Sequence, residues 1–282
     1  MYKSFQIKSN YDQLKLDGNI ISCENPKGIV QISHGMCEHK ERYIDFMNFL
    51  SNQGYLCIIH DHRGHGKSIK NQEDLGYFYD SKAEAVIEDL YQITEYIKER
   101  FPNKKIILFG HSMGSMIVRK YIAKYDDKID GLIVCGSPSE NKAAKLGLVL
   151  IKIAELFKGE KYRSKTLKKM MFGGFGKKNE MTNSWICTNK EVVEKYNEDE
   201  FCIYDYTLNG LENIVRLMID IYNPKIYQKN NLKLPIYFIA GSDDPVITSI
   251  EAWNNAQKFL EKQGYQNISG TLYENMRHEK LN

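Results

Sequence analysis

Several things are scarce in this chain, and each scarcity excludes something. Nowhere in its 282 residues do about 20 uncharged apolar residues follow one another, so no membrane-spanning helix is expected. The opening residues Met1-Tyr2-Lys3-Ser4-Phe5 lack the apolar stretch of a secretory signal peptide. There are six cysteines (Cys23, Cys37, Cys57, Cys135, Cys187 and Cys202), scattered and without a CxxC pair. That argues against a zinc ribbon or a disulfide framework and for free thiols in a cytoplasmic protein. The net charge of +3 is too small to suggest a nucleic-acid partner. No HExxH and no dinucleotide fingerprint occurs, so neither a metal nor a nucleotide cofactor is expected. His60, His62 and His65 are close together, but they share their loop with Arg63 and read as structural. Gly173-Gly174-Phe175-Gly176-Lys177-Lys178 has the wrong glycine spacing for a phosphate-binding loop and reads as a lid hinge. There is no internal repeat and no low-complexity tract.

What remains is an ordinary globular composition, 42% hydrophobic and 27% charged, long enough for one domain with an insertion or two small domains. Short strands are expected at 3–8 and 18–23, then at 28–33, followed by a helix at 40–53 whose apolar face carries Tyr43, Phe46, Met47 and Leu50. A strand at 55–60 precedes an amphipathic helix at 82–100, which Pro102 stops. Strands near 106–111, 129–135, 234–241 and 267–273 and helices to about 125 and at 249–263 continue the alternation. Strand and helix in this rhythm mean parallel βαβ units covered on both faces, a doubly wound α/β fold. The rhythm breaks between 139 and 231, which read as helices and loops. The expected division is therefore a core of residues 1–138 and 232–282, with a helical cap at 139–231 inserted after the sixth strand.

The chain is organised around Ile106-Ile-Leu-Phe-Gly-His-Ser-Met-Gly-Ser115, a buried strand that runs into Gly-x-Ser-x-Gly and then a helical pattern. This is the strand–turn–helix context of a nucleophile elbow, with Ser112 at the turn and the Met113 N–H at the positive end of the following helix. A serine nucleophile needs a base, and the base needs an acid to fix its tautomer. Of the seven histidines, His278 alone follows Ser112, and it lies just beyond the last expected strand. Asp243 and Asp244 both follow a buried strand, and Asp244 is preferred as the acid because Pro245 fixes the turn after it. The second oxyanion donor should come from the loop after the third strand, where the Met36 N–H is the candidate and Gly35 permits close approach.

Five segments carry a resemblance. His34-Gly-Met-Cys-Glu-His-Lys-Glu-Arg-Tyr43, Asp61-His-Arg-Gly-His-Gly-Lys-Ser68, Gly110-His-Ser-Met-Gly114, Gly241-Ser-Asp-Asp244 and Arg277-His-Glu279 resemble the motifs of the monoacylglycerol lipase and lysophospholipase group of α/β-hydrolases, which is classed with the serine aminopeptidases. The resemblance implies the α/β-hydrolase fold, a triad of Ser112, Asp244 and His278, and an oxyanion hole of the Met36 and Met113 amides. It also implies a structural Asp61–Ser68 loop in which Asp61 and Arg63 pair. In that group an apolar residue, Asn, Glu and a final helix follow the histidine. Here Lys280 stands at the apolar position and the sequence ends at Asn282, so a sheet face short of its covering helix is expected.

In the insertion, Ala143–Phe157 is apolar nearly all round, fit either to pack inside the cap or to line an acyl tunnel or touch lipid. Between Lys142 and Lys178 there are eleven basic residues against two acidic ones, a surface suited to anionic membranes or phosphate head groups. Trp185, Tyr196, Phe201, Tyr204 and Tyr206 make the later cap aromatic. The expectation is a cytoplasmic serine hydrolase of lipid carboxylic esters, monoacylglycerols or lysophospholipids. It would need no cofactor and contact anionic membrane transiently. The sequence does not settle its oligomeric state. Two rivals remain: an aminopeptidase or amide hydrolase, which would need an acidic anchor in the cap, and a non-catalytic binding protein of the same fold, which should have lost a triad member.

Overall fold

The computed structural model describes residues 1–176 and 180–280. Eight strands form one sheet: β1 (Tyr2–Lys8), β2 (Lys15–Ile21), β3 (Gly28–Ser33), β4 (Tyr55–His60), β5 (Ile106–His111), β6 (Gly131–Cys135), β7 (Pro235–Gly241) and β8 (Asn267–Tyr273). Their order is β1-β2-β4-β3-β5-β6-β7-β8; β2 pairs antiparallel with β1 and β4, and every other pair is parallel. This is the mostly parallel, doubly wound sheet of an α/β-hydrolase. The hairpin strand β2 starts at Lys15, three residues earlier than its apolar pattern suggests, because Lys15 pairs with Lys8 on the solvent-facing edge.

Alternation along the strands splits the core in two. Ile29, Leu56, Ile58, Leu108 and Val134 point to one face, where α2 (Ala85–Arg100), α3 (Met113–Tyr125) and α8 (Ile250–Lys262) cover them. Val30, Ile32, Cys57, Ile59 and Phe109 point to the other, under α1 (Ile44–Asn52). A 3-10 turn at Lys40–Tyr43 precedes α1, so the helix itself is shorter than its apolar pattern. Ile133 and Ile239 on this second face are only partly buried. Helices α4 (Ala144–Lys158), α5 (Lys165–Phe172), α6 (Lys190–Glu198) and α7 (Leu208–Asp220) all fall between β6 and β7, and among the described residues no strand interrupts them.

Register matters most for the site. Ser33 lies beside Gly110, His111 beside Cys135 and Cys135 beside Ile239, so the carboxyl ends of β3, β5, β6 and β7 come level. In an open α/β sheet the crevice outside those ends is where chemistry collects.

The loop after β4 braces this edge, though not as expected. Asp61 and Arg63 do not pair with each other. Asp61 holds the buried Lys40 ammonium at 2.8 Å and accepts from the Lys40 and Lys67 N–H groups, while Arg63 is bound to Asp89 at 2.8 Å and to Asp12 at 3.1 Å. Two residues apart in a turn, the side chains diverge and find partners on other elements. Breaking either buried pair would strand a charge, typically at a cost of about 3–5 kcal/mol.

Candidate active site

The floor is built at the end of β5. Ser112 has φ 54° and ψ −117°, a left-handed conformation strained for a side-chain-bearing residue, and α3 begins at the next residue. The strain is held in place by close packing that only glycine allows. A Cβ on Gly114 would lie 2.0 Å from the Ser33 carbonyl oxygen, and one on Gly110 would lie 2.5 Å from the Gly114 carbonyl oxygen. The Ser112 N–H bonds the Cys135 carbonyl at 2.9 Å, tying the turn to β6.

Asp244 and His278 meet beside it. Asp244 follows β7 and, with Oδ1, caps the short turn Pro245–Ile247 by accepting from the Val246 N–H at 2.9 Å. His278 Nδ1 lies 3.0 and 2.9 Å from the two carboxylate oxygens. The acid is therefore cap and histidine partner at once, while Ser249 caps α8. Asp243 is exposed. Burial works against the Asp244 charge, but His278 and Lys280 outweigh it and hold the carboxyl well below the usual range. Burial also pushes the His278 pKa down, with His111 and Lys280 acting in the same direction against Asp244. His278 Nε2 is buried and has no hydrogen-bond partner among the described residues. The Ser112 side chain makes no hydrogen bond to it in this state, yet both residues line the same cavity.

On the opposite side, Gly35 packs against the serine: a Cβ there would lie 3.1 Å from Ser112 Cβ. Met36 lines the cavity, and among the described residues its N–H has no hydrogen-bond partner, whereas the next amide, that of Cys37, donates to Tyr206 Oη at 3.2 Å. Met113 also lines the cavity, at the first position of α3.

Behind these residues lies a buried relay that sequence reasoning did not single out. Glu38 accepts from the Gly35 N–H at 3.1 Å and lies 2.9 Å from His111 Nδ1; His111 Nε2 reaches the His278 carbonyl at 3.3 Å. Burial opposes the His111 charge, but Glu38 outweighs it and raises the His111 pKa. The signal was present: His111 is the x of the elbow motif, and Glu38 belongs to the first family-like segment. Only the fold shows that they touch.

The roof comes from the insertion. A cavity of about 1130 Å³ opens above Ser112 and His278. Leu146, Gly147, Leu150 and Ile151 of α4 form one wall, Met171 and Phe172 of α5 another, Ile214, Val215 and Met218 of α7 a third, and Trp185, Tyr196 and Tyr204 add aromatic surface. Tyr206 sits lower, with its hydroxyl bonded to His65, and Phe201 packs on His39 at 5.5 Å instead of on the cavity. The other face of α4 is open: Val149 is 53%, Ile153 51% and Leu156 82% exposed. The two uses offered by the all-round apolar pattern are thus divided between two faces. Segment 184–186 grips the histidine loop. Arg277 donates to the Ser184 carbonyl at 2.6 Å, the Glu279 N–H to the Ile186 carbonyl at 2.6 Å, and Trp185 lies 5.3 Å from the His278 ring.

His39 links core to roof: Nδ1 lies 2.7 Å from Glu41 and Nε2 2.7 Å from Asp199. Burial opposes its charge, but the two carboxylates raise its pKa. His39, Asp199 and Cys202 are the one group among the described residues whose donor atoms could meet on a metal ion. Asp199 already occupies the imidazole nitrogen, and the Arg42 guanidinium faces Cys202, which disfavours a cation there. Of the basic segment, Lys152, Lys161 and Lys168 are paired with Glu212, Asp74 and Asp205. Lys177 and Lys178 of the expected hinge lie outside the described residues.

The profile of a family described as serine aminopeptidase, S33, matches residues 24–282. Monoglyceride lipase of Mus musculus is 25% identical over 280 residues, covering 93% of this chain and 80% of that protein. Monoacylglycerol lipase of Mycolicibacterium smegmatis is 24% identical over 261 residues, covering 92% and 83%. Among solved structures, a highly thermostable carboxyl esterase from Bacillus coagulans in complex with glycerol superposes with a TM-score of 0.90 at 26% identity, covering 99% of this chain and 91% of that one.

Proposed function

The chain belongs to the serine aminopeptidase S33 family, and from that premise we propose that Ser112, His278 and Asp244 act as its catalytic triad. It is a carboxylic ester hydrolase acting on lipid esters. In the proposed mechanism His278, kept neutral near pH 7 by burial, takes the Ser112 proton on its free Nε2 as Oγ attacks the acyl carbonyl. Asp244 fixes the tautomer and stabilises the imidazolium that forms. The Met36 and Met113 amides receive the oxyanion, an arrangement in which one donor is typically worth on the order of 10²–10³ in turnover. His278 then protonates the leaving alcohol. Water, activated by the same imidazole, releases the fatty acid.

One observation carries this reading: a strained serine and a carboxylate-bound histidine with an open Nε2 share the floor of a large, mostly apolar cavity. The wall of α4 and α5 suits an acyl chain, and monoacylglycerols and lysophospholipids are the proposed substrates. Residues 139–231 act as the cap over a core of 1–138 and 232–282. The exposed face of α4, next to a lysine-rich segment, favours transient contact with anionic membrane from the cytoplasmic side. No helix among the described residues is long and apolar enough to cross a membrane. An aminopeptidase would need a free acid to bind the substrate amine. Of the acids that line the cavity, Glu38 and Glu279 are neutralised by His111 and Arg42, which leaves the exposed Glu140 as the anchor such a reading would have to use.

The test is fatty-acid release from monoacylglycerol and lysophosphatidylcholine beside an aminoacyl anilide, with Ser112→Ala as control. Serine-dependent release from the lipids is expected, and their ratio identifies the head group. Cleavage of the anilide alone would replace this reading with the peptidase one.

A further inference from the structure

Lys280 stands where the family-like pattern has an apolar residue, and its side chain is only 5% exposed. A buried ammonium needs a specific reason, because desolvating it is costly unless it is paired. Its Nζ donates to Asp244 Oδ2 at 2.9 Å and to the His278 carbonyl at 2.7 Å. Oδ2 is also 2.9 Å from His278 Nδ1. The ammonium thus closes a ring that runs from the imidazole through the carboxylate and back to the histidine's own backbone.

We propose that Lys280 is a positioning residue for the triad, which shares Asp244 with His278 and thereby keeps the base unprotonated to lower pH than Asp244 alone would allow. This rests on the triad assigned above. The argument is one of charge. An unshared carboxylate would stabilise imidazolium and hold the histidine protonated in mild acid. An ammonium on the same oxygen draws off part of that field. The other charges around His278 are matched among themselves. His111, from β5, faces Glu38 from the loop after β3. Glu279 faces Arg42 from the turn before α1, and Arg277 faces Glu180 of the roof. The Cys135 thiol at the end of β6 is pushed up to about 12 by burial and stays neutral. Lys280 is therefore the cation that acts directly on the acid. The second bond, to the His278 carbonyl, works with the one from His111 to fix the loop on which the imidazole is carried.

The experiment follows labelling of Ser112 by a fluorophosphonate as a function of pH, which needs no knowledge of the substrate. The wild type, Lys280→Met, Lys280→Gln and Lys280→Arg are compared, with circular dichroism to confirm folding. The acid limb of the labelling rate should move to higher pH in Lys280→Met and Lys280→Gln and stay near the wild type in Lys280→Arg. The glutamine keeps a hydrogen-bond donor and loses only the charge, so it separates the electrostatic role from the structural one and carries the test alone if the methionine variant does not fold. A lower rate with an unmoved limb in the folded neutral variants would overturn the proposal, as would an arginine variant that shifts as far as they do. Wild-type protein that reacts no faster than Ser112→Ala would instead overturn the triad itself.

Discussion

The floor and the roof of the cavity are held by different physics. The floor is a set of strand ends whose register is fixed, packed so closely that a single Cβ at Gly114 would strike the Ser33 carbonyl. Its polar groups are buried and mostly paired. The roof is four helices from one insertion, whose first helix presents one apolar face to the cavity and another to solvent. At Gly147 of that helix an added Cβ meets nothing within 4 Å. At Gly210 of α7 it would lie 2.0 Å from the Gly76 carbonyl oxygen, so the openness belongs to α4 and not to the whole roof. A region built as tightly as the elbow can hold a strained serine, and a helix set as loosely as α4 can admit a large apolar ligand. The two requirements conflict, and the molecule meets them in separate segments of chain.

The largest expected effect breaks the floor chemically without disturbing it. Ser112→Ala should lower turnover of the preferred lipid ester by roughly 10⁴-fold or more while leaving the thermal midpoint near that of the wild type. Residual turnover close to that of the unaltered protein would remove Ser112 from the mechanism.

The next sharpens the packing contrast with the same substitution at two glycines. Gly114→Ala places a methyl group between the Ser33 and His34 carbonyls, where backbone must move, and should destabilise by about 3 kcal/mol. Gly147→Ala lies within α4 in open space and should stabilise by about 0.5–1 kcal/mol through helix propensity. Urea denaturation of both reads the difference, and equal effects would show that floor and roof are not packed differently after all.

Much of the floor was legible in the sequence and little of the roof. The elbow is a local motif, and a single histidine beyond Ser112 offered one candidate for the base. Pro245 pointed to Asp244 over Asp243, and the structure buries the one and exposes the other. Partners distant in the chain were not legible. Arg63 binds Asp89 and Asp12 instead of Asp61, and Glu38 binds His111, because the fold and not the spacing brings them together. Lys280 was visible only as an odd residue, since nothing nearby in sequence revealed that Asp244 would lie 2.9 Å away. In α4, apolar residues on every side cannot reveal which face meets the cavity.

Acid should weaken the floor and strengthen its tie to the roof. Burial lowers the pKa values of His34, His60 and His65 to about 3, from an ordinary value near 6.5. Their neutral forms favour folding fully above 6.5. As pH falls from there toward 3 the unfolded chain takes up protons that the folded one refuses, and stability drops by up to about 1.4 kcal/mol per pH unit for each imidazole. His39 has the opposite sign. Its pKa is raised, so its pairing with Asp199 contributes fully below 6.5 and is lost as pH rises through the folded value. Denaturation midpoints between pH 7 and 4 should therefore fall steeply. His60→Leu, which removes a ring whose nitrogens have no hydrogen-bond partner among the described residues, should flatten that slope, and a slope unchanged by it would show that His60 does not titrate between the two states. Asp199→Asn should cost stability at pH 6 and little at high pH.

The smallest effect on the folded molecule isolates the outer face of the roof. Val149 and Leu156, one heptad apart on that face, do not line the cavity and are 53% and 82% exposed. Exposed surface positions seldom change stability by more than about 0.5 kcal/mol, so Val149→Glu with Leu156→Glu should leave the denaturation midpoint in place. It should also leave the hydrolysis of a short, freely dissolved ester unchanged, because that substrate reaches Ser112 without a surface. Sedimentation with vesicles rich in anionic phospholipid should respond, since two exposed apolar side chains that can enter the lipid become two charges that the membrane repels. Hydrolysis of long-chain monoacylglycerol presented in those vesicles should fall with it. If the soluble ester slows by the same factor, the two residues support the cavity from behind, and the contrast between an inner and an outer face of α4 is lost.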